Sequence, residues 1–78
     1  MDRAQVDQQV REVVAEHLGL ALDGVDLDAR VENLANSLEL GMMVIAMERH
    51  FGVEFDDSAL GRVRILRDVA DLVDRALA

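Results

Sequence analysis

Few side chains of this 78-residue sequence are equipped for chemistry. Cysteine is absent, which removes a thiolate nucleophile, a disulfide framework and Cys-ligated zinc. The candidates include the hydroxyl of Ser37, at the mouth of a predicted helix, the imidazoles of His17 and His50, and an acidic run at Asp23, Asp26 and Asp28. Ser37 and His50 do not suit nucleophilic catalysis together. Both fall on one predicted helix, roughly 20 Å apart at about 1.5 Å per residue, and no proton passes directly across that gap. His17 and His50 each end a predicted helix, where an imidazole suits the dipole; two lone histidines far apart in sequence make a weak metal site. The run Asp23-Gly24-Val25-Asp26-Leu27-Asp28 faintly resembles a calcium loop, but its glycine comes too early and Leu34 stands where the closing Glu belongs. A solvated acidic loop is the better reading. No glycine-rich phosphate loop is present.

The elements that must position Ser37 are helical. Val6, Val10, Val13, Val14 and Leu18 make one apolar stripe, which predicts a first helix over Ala4–Leu18 with Gly19 as its stop. Leu20 to Asn33 is a long connection. Its spaced apolar residues (Leu20, Leu22, Val25, Leu27, Val31 and, just beyond, Leu34) predict that it lies on the core, with a short helical turn near Leu22–Val25. A second helix is predicted from Ser37 to His50. Asn36 is its N-cap, Glu39 stands where a capping-box side chain reaches back, and Gly52 ends it after Phe51. Asp56–Leu60 predicts one short helical turn, and a last helix starts near Ile65 with Leu66, Val69, Ala70, Val73 and Leu77 as its stripe. The expected fold is all-α: a small four-helix bundle, residues 1–78 as a single domain, with a long loop between helices 1 and 2 and a short third helix.

Composition narrows the partners. Sixteen acids face eight arginines and no lysine, for a net charge of −8. Such a chain repels nucleic acid and anionic membranes and attracts basic protein surfaces. No apolar run approaches a membrane span, and the N-terminus lacks the apolar core of a signal peptide, so the expected location is the cytoplasm. Half the residues are hydrophobic but only Phe51 and Phe55 are aromatic, which suits a small helical core.

The second helix carries more apolar surface than its burial needs. Leu40, Met43, Val44, Met47 and Phe51 form one stripe; Leu38, Met42 and Ile45 form a second line that ends at Arg49, with Gly41 between the two. Periodicity alone leaves two readings open. The helix is buried on most of its surface, or the second line is an exposed strip that docks partner proteins. At the mouth of the helix Asn36 takes the cap, which frees the Ser37 hydroxyl to point outward. A phosphate esterified there would sit at the positive end of the helix dipole, near unsatisfied backbone N–H groups.

The run Asn36-Ser37-Leu38-Glu39-Leu40, followed by Met47-Glu48-Arg49-His50-Phe51-Gly52-Val53, resembles the acyl carrier protein family. Leu18-Gly19-Leu20 and Asp68-Val69-Ala70-Asp71-Leu72-Val73 resemble the ends of that family's first helix and its last helix, so the resemblance spans nearly the whole chain. It implies a 4′-phosphopantetheine arm on Ser37, installed from coenzyme A with Mg²⁺ by a phosphopantetheinyl transferase. It also implies a carrier, not an enzyme, which holds acyl or aminoacyl groups as thioesters and exchanges them with loading, condensing and transferring enzymes. By position, Leu38, Met42, Ile45 and Arg49 would face those partners, and Met43, Met47 and Phe51 would line an interior where an acyl chain lodges. The chain departs from the family's usual pattern at Asn36, in place of Asp beside the serine, at Met42, in place of a Glu, and at Arg49 and His50, where acids are common. A docking face less acidic and more apolar than in fatty-acid synthesis favours a discrete, monomeric carrier of polyketide or nonribosomal peptide type. The alternatives are a fatty-acid carrier and a degenerate carrier fold acting as an unmodified protein-binding module.

Overall fold

The computed structural model describes residues 1–78. Four helices follow one another: α1 (Arg3–Leu18), α2 (Ser37–Phe51), α3 (Asp57–Leu60) and α4 (Leu66–Leu77). There are no strands, and the architecture is the small four-helix bundle expected, with a long α1–α2 connection and a four-residue α3. Local chemistry sets the boundaries. Asp2 caps α1 by accepting from the Gln5 amide at 2.8 Å, while the Gln5 side chain accepts from the Asp2 amide at 2.9 Å, so the helix begins one residue before the sequence stripe suggests. Gly19 and Gly52 end α1 and α2 at φ +66° and +67°, a left-handed conformation that side chains resist. At α4 the cap comes from inside the helix. The Asp68 carboxylate accepts from the amides of Arg64 (2.9 Å) and Ile65 (3.1 Å), and these bonds hold its carboxyl below the usual carboxylate range.

One cluster of apolar side chains holds the bundle together. Val6, Val10, Val13 and Val14 of α1 meet Met43 and Met47 of α2 and Leu66, Val69, Ala70 and Val73 of α4; Val25 and Leu27 complete it from the connection. α1 is the shared partner, packing on both α2 and α4. Valine is stiff at χ1 and loses little freedom on burial, which suits a small core built around one helix.

The α1–α2 connection is ordered by 3₁₀ turns at Leu22–Gly24 and Val31–Asn33 and by a clasp to the start of α4. The Val31 amide donates to the Arg64 carbonyl (3.0 Å), Leu66 to Ala29 (3.1 Å) and Arg67 to Leu27 (2.6 Å), and the Arg67 guanidinium grips both oxygens of Asp28. Only part of the expected contact with the core is made. Val25 and Leu27 are buried, whereas Leu20 and Leu22 are exposed because the first 3₁₀ turn carries the chain away from the core. Leu77 is exposed as well, since the last turn of α4 runs past the end of the core. The acidic run is used within the chain: Asp28 pairs with Arg67, which holds its carboxyl below the usual range, and Asp26 accepts from the Asp28 amide at 2.9 Å.

Candidate functional site

Ser37 is the first residue of α2 and is exposed. The residue before it does the capping. Asn36 Oδ1 accepts from the Glu39 amide at 2.8 Å, and Glu39 Oε1 accepts from the Asn36 amide at 3.0 Å. None of the hydrogen bonds at this helix mouth involves the Ser37 hydroxyl, and the amides of Ser37 and Leu38 have no backbone partner. A free oxygen nucleophile thus stands at the positive end of a 15-residue helix, beside unpaired N–H donors. An anion attached there is favoured by both.

Two surfaces flank it. On one side Leu38, Met42 and Ile45 are 74%, 56% and 50% exposed, and Arg49 is exposed below them. α2 is therefore not buried on most of its surface, and its second apolar line is exposed. Its lower part is a groove between α1 and α2 lined by His17, Met42, Ile45, Ala46, Arg49 and His50. The two histidines, 33 positions apart by their numbers, therefore share one surface, although His50 is engaged with Gln9 at 2.8 Å and stacks edge-on against Phe51. No group of three or more His, Asp or Glu side chains is arranged to hold a metal ion.

On the other side an open apolar cleft of about 350 Å³ runs between α2 and α4, walled by Val31, Leu40, Gly41, Met43, Val44, Leu60, Val63 and Val69. Ser37, Leu40, Gly41 and Val44 follow an i, i+3, i+4, i+7 spacing, so the serine heads the helix face that borders the cleft. Among the residues the resemblance assigns to an acyl-binding interior, Met43 walls this cleft. Met47 lies in the closed core, and Phe51 packs half-buried at the core's edge one turn further on. The other seven walls, Val31, Leu40, Gly41, Val44, Leu60, Val63 and Val69, are not assigned to a ligand by the sequence. Gly41 is their only local signal, a glycine inside a helix without a turn to explain it.

Residues 8–75 match the phosphopantetheine attachment site family. The acyl carrier protein of Campylobacter hominis is 36% identical over 72 residues, covering 90% of this chain and 91% of that protein. The chain belongs to the acyl carrier protein family. The acyl carrier protein of Nitratidesulfovibrio vulgaris is likewise 36% identical, over 70 residues, covering 87% of this chain and 92% of its own length. Among solved structures, the acyl carrier protein of Thermotoga maritima shares the fold with a TM-score of 0.79 at 24% identity, over 99% of this chain and 92% of that one. The hexanoyl carrier of the actinorhodin polyketide synthase of Streptomyces coelicolor superposes with a TM-score of 0.75 at 33% identity, over 87% of this chain and 85% of that one. As an acyl carrier protein the chain carries a covalent 4′-phosphopantetheine arm, which explains how a sequence without cysteine handles thioesters. Members of the family interact with a phosphopantetheinyl transferase and with biosynthetic enzymes. No helix of this carrier is long and apolar enough to cross a membrane.

Proposed function

We propose that the arm is attached to Ser37 and that this carrier acts in specialised metabolism of polyketide or nonribosomal peptide type. The observation that carries the attachment is the division of labour at the helix mouth: Asn36 holds the cap, and the Ser37 hydroxyl is exposed and unbonded. The same mouth suits the arm's phosphodiester, because the unpaired amides of Ser37 and Leu38 and the helix dipole all favour negative charge. When bound, the arm supplies a terminal thiol that holds acyl or aminoacyl groups as thioesters. The chain's own part is to present, shield and dock, without catalysis.

Docking falls to Leu38, Met42, Ile45 and Arg49, an exposed apolar line ending in a cation. Such a face suits enzymes whose own contact surface is apolar, which speaks for a specialised pathway over fatty-acid synthesis. The likeness to the actinorhodin carrier supports the same reading. Shielding falls to the cleft beside Ser37. Its volume of about 350 Å³ exceeds the ~150 Å³ of an apolar cavity that takes up benzene, so a short apolar acyl group fits. We read the carrier as a cytoplasmic monomer of one domain.

Incubating the apo protein with coenzyme A, Mg²⁺ and a broad-specificity transferase should add one phosphopantetheine by intact mass, and Ser37→Ala should add none. An adduct that persists in Ser37→Ala refutes the attachment. Failure of the wild type to take the arm would instead favour an unmodified binding module.

A further inference from the structure

Gly41 has no conformational reason to be glycine. It lies inside α2, its φ is not positive, and it closes no turn. Nothing crowds it either: a Cβ built there meets no atom within 4 Å beyond its chain neighbours and the helix's own adjoining backbone. Glycine is the poorest helix-interior residue short of proline, so the sequence accepts a weaker helix where alanine would fit. What the missing side chain leaves is space. Gly41 walls the apolar cleft, one helical turn and about 6 Å below Ser37, between the core stripe and the exposed line of Leu38, Met42 and Ile45.

We propose that Gly41 is the specificity-determining residue at the mouth of the cleft, holding open the passage by which an apolar acyl group enters from the arm. The proposal rests on the reading that acyl groups carried on Ser37 lodge in this cleft. Gly41 lines the cleft on the Ser37 side of Val44, so an acyl group that the arm delivers from that end of α2 passes position 41 on its way to Val44, Val63 and Val69. A side chain at 41 stands in that path without disturbing the core beneath, because the position is exposed and no atom packs on it. Gly41 therefore governs which cargo is sheltered while leaving arm attachment and folding untouched.

The test uses wild type, Gly41→Ala and Gly41→Leu, each as apo protein and with acetyl- and hexanoyl-loaded arms. The readout is the methyl chemical-shift difference between hexanoyl and acetyl forms. In the wild type the methyls of Val44, Leu60 and Val63 should shift, while those of Val10 and Val14, in the closed core, should not. The difference should be smaller in Gly41→Ala and lost in Gly41→Leu. Apo melting temperatures should rise by roughly 2–8 °C in Gly41→Ala, from helix propensity alone. A hexanoyl-dependent shift as large in Gly41→Leu as in wild type overturns the role of Gly41 and leaves the cleft reading standing. Absence of any such shift in the wild type overturns both. Should Gly41→Leu fail to fold, an undiminished shift in Gly41→Ala overturns the proposal.

Discussion

Substituting the two residues at the mouth of α2 one at a time separates capping from attachment. Asn36→Ala removes the 2.8 Å bond from the Glu39 amide to Asn36 Oδ1 and opens one half of the capping box. Losing an N-cap of this type costs about 1 kcal/mol, within a range of roughly 0.5–2. For a domain of this size ~1 kcal/mol corresponds to a melting shift of roughly 4–8 °C. Ser37→Ala removes a hydroxyl that takes no part in the cap, so its effect should stay within about 0.5 kcal/mol. Asn36→Asp keeps the acceptor and adds a charge at the positive end of the helix, which contributes about 0.3–1 kcal/mol. The expected order of apo stability at neutral pH is therefore Asn36→Asp at or above wild type, Ser37→Ala equal to wild type, and Asn36→Ala clearly below. Urea and thermal unfolding followed by far-UV circular dichroism measure it. Ser37→Ala as destabilising as Asn36→Ala would refute the reasoning, because the serine would then be tied into the cap and its oxygen would not stand free.

Three further outcomes follow from the packing. Leu27→Ala should cost about 2–5 kcal/mol in urea unfolding, since Leu27 is 1% exposed, whereas Leu22→Ala should stay within about 0.5; equal effects would refute the placement of the loop. The Asp68 carboxyl is held below its ordinary range by the amides of Arg64 and Ile65, so the folded chain binds fewer protons there than the unfolded chain. That contribution is complete above the unfolded-state value and is lost as pH falls through the folded one. The stability gap between wild type and Asp68→Asn should thus close below about pH 4, and a gap that stays constant through acid would refute it. Met42→Glu should leave stability within about 0.5 kcal/mol, the side chain being 56% exposed, and should slow loading by the carrier's own acyl-transferring enzyme; an unchanged loading rate would remove Met42 from the docking face.

What the sequence made legible here was local or one-sided. The Asn36 cap, its Glu39 partner and the stops at Gly19 and Gly52 each follow from residues within a turn of one another, and the backbone forms them as read. α1 buries Val6, Val10, Val13 and Val14 because it offers the core a single stripe. α2 offers two, and periodicity cannot say which faces inward. The decision lies in α1 and α4, whose valines close over Met43 and Met47 and leave Leu38, Met42 and Ile45 outside. The loop was hidden for the same reason. Leu22 is turned outward by the first 3₁₀ turn, whereas Leu27 is buried where the connection meets the start of α4 through Arg67, whose pair with Asp28 spans 39 positions. The cleft is the extreme case: its walls come from four separate segments, so no window of sequence contains it. Gly41 was its one local trace. A helical glycine with neither positive φ nor a crowding neighbour has to be explained by the space it leaves, and in this bundle that space opens one turn below Ser37.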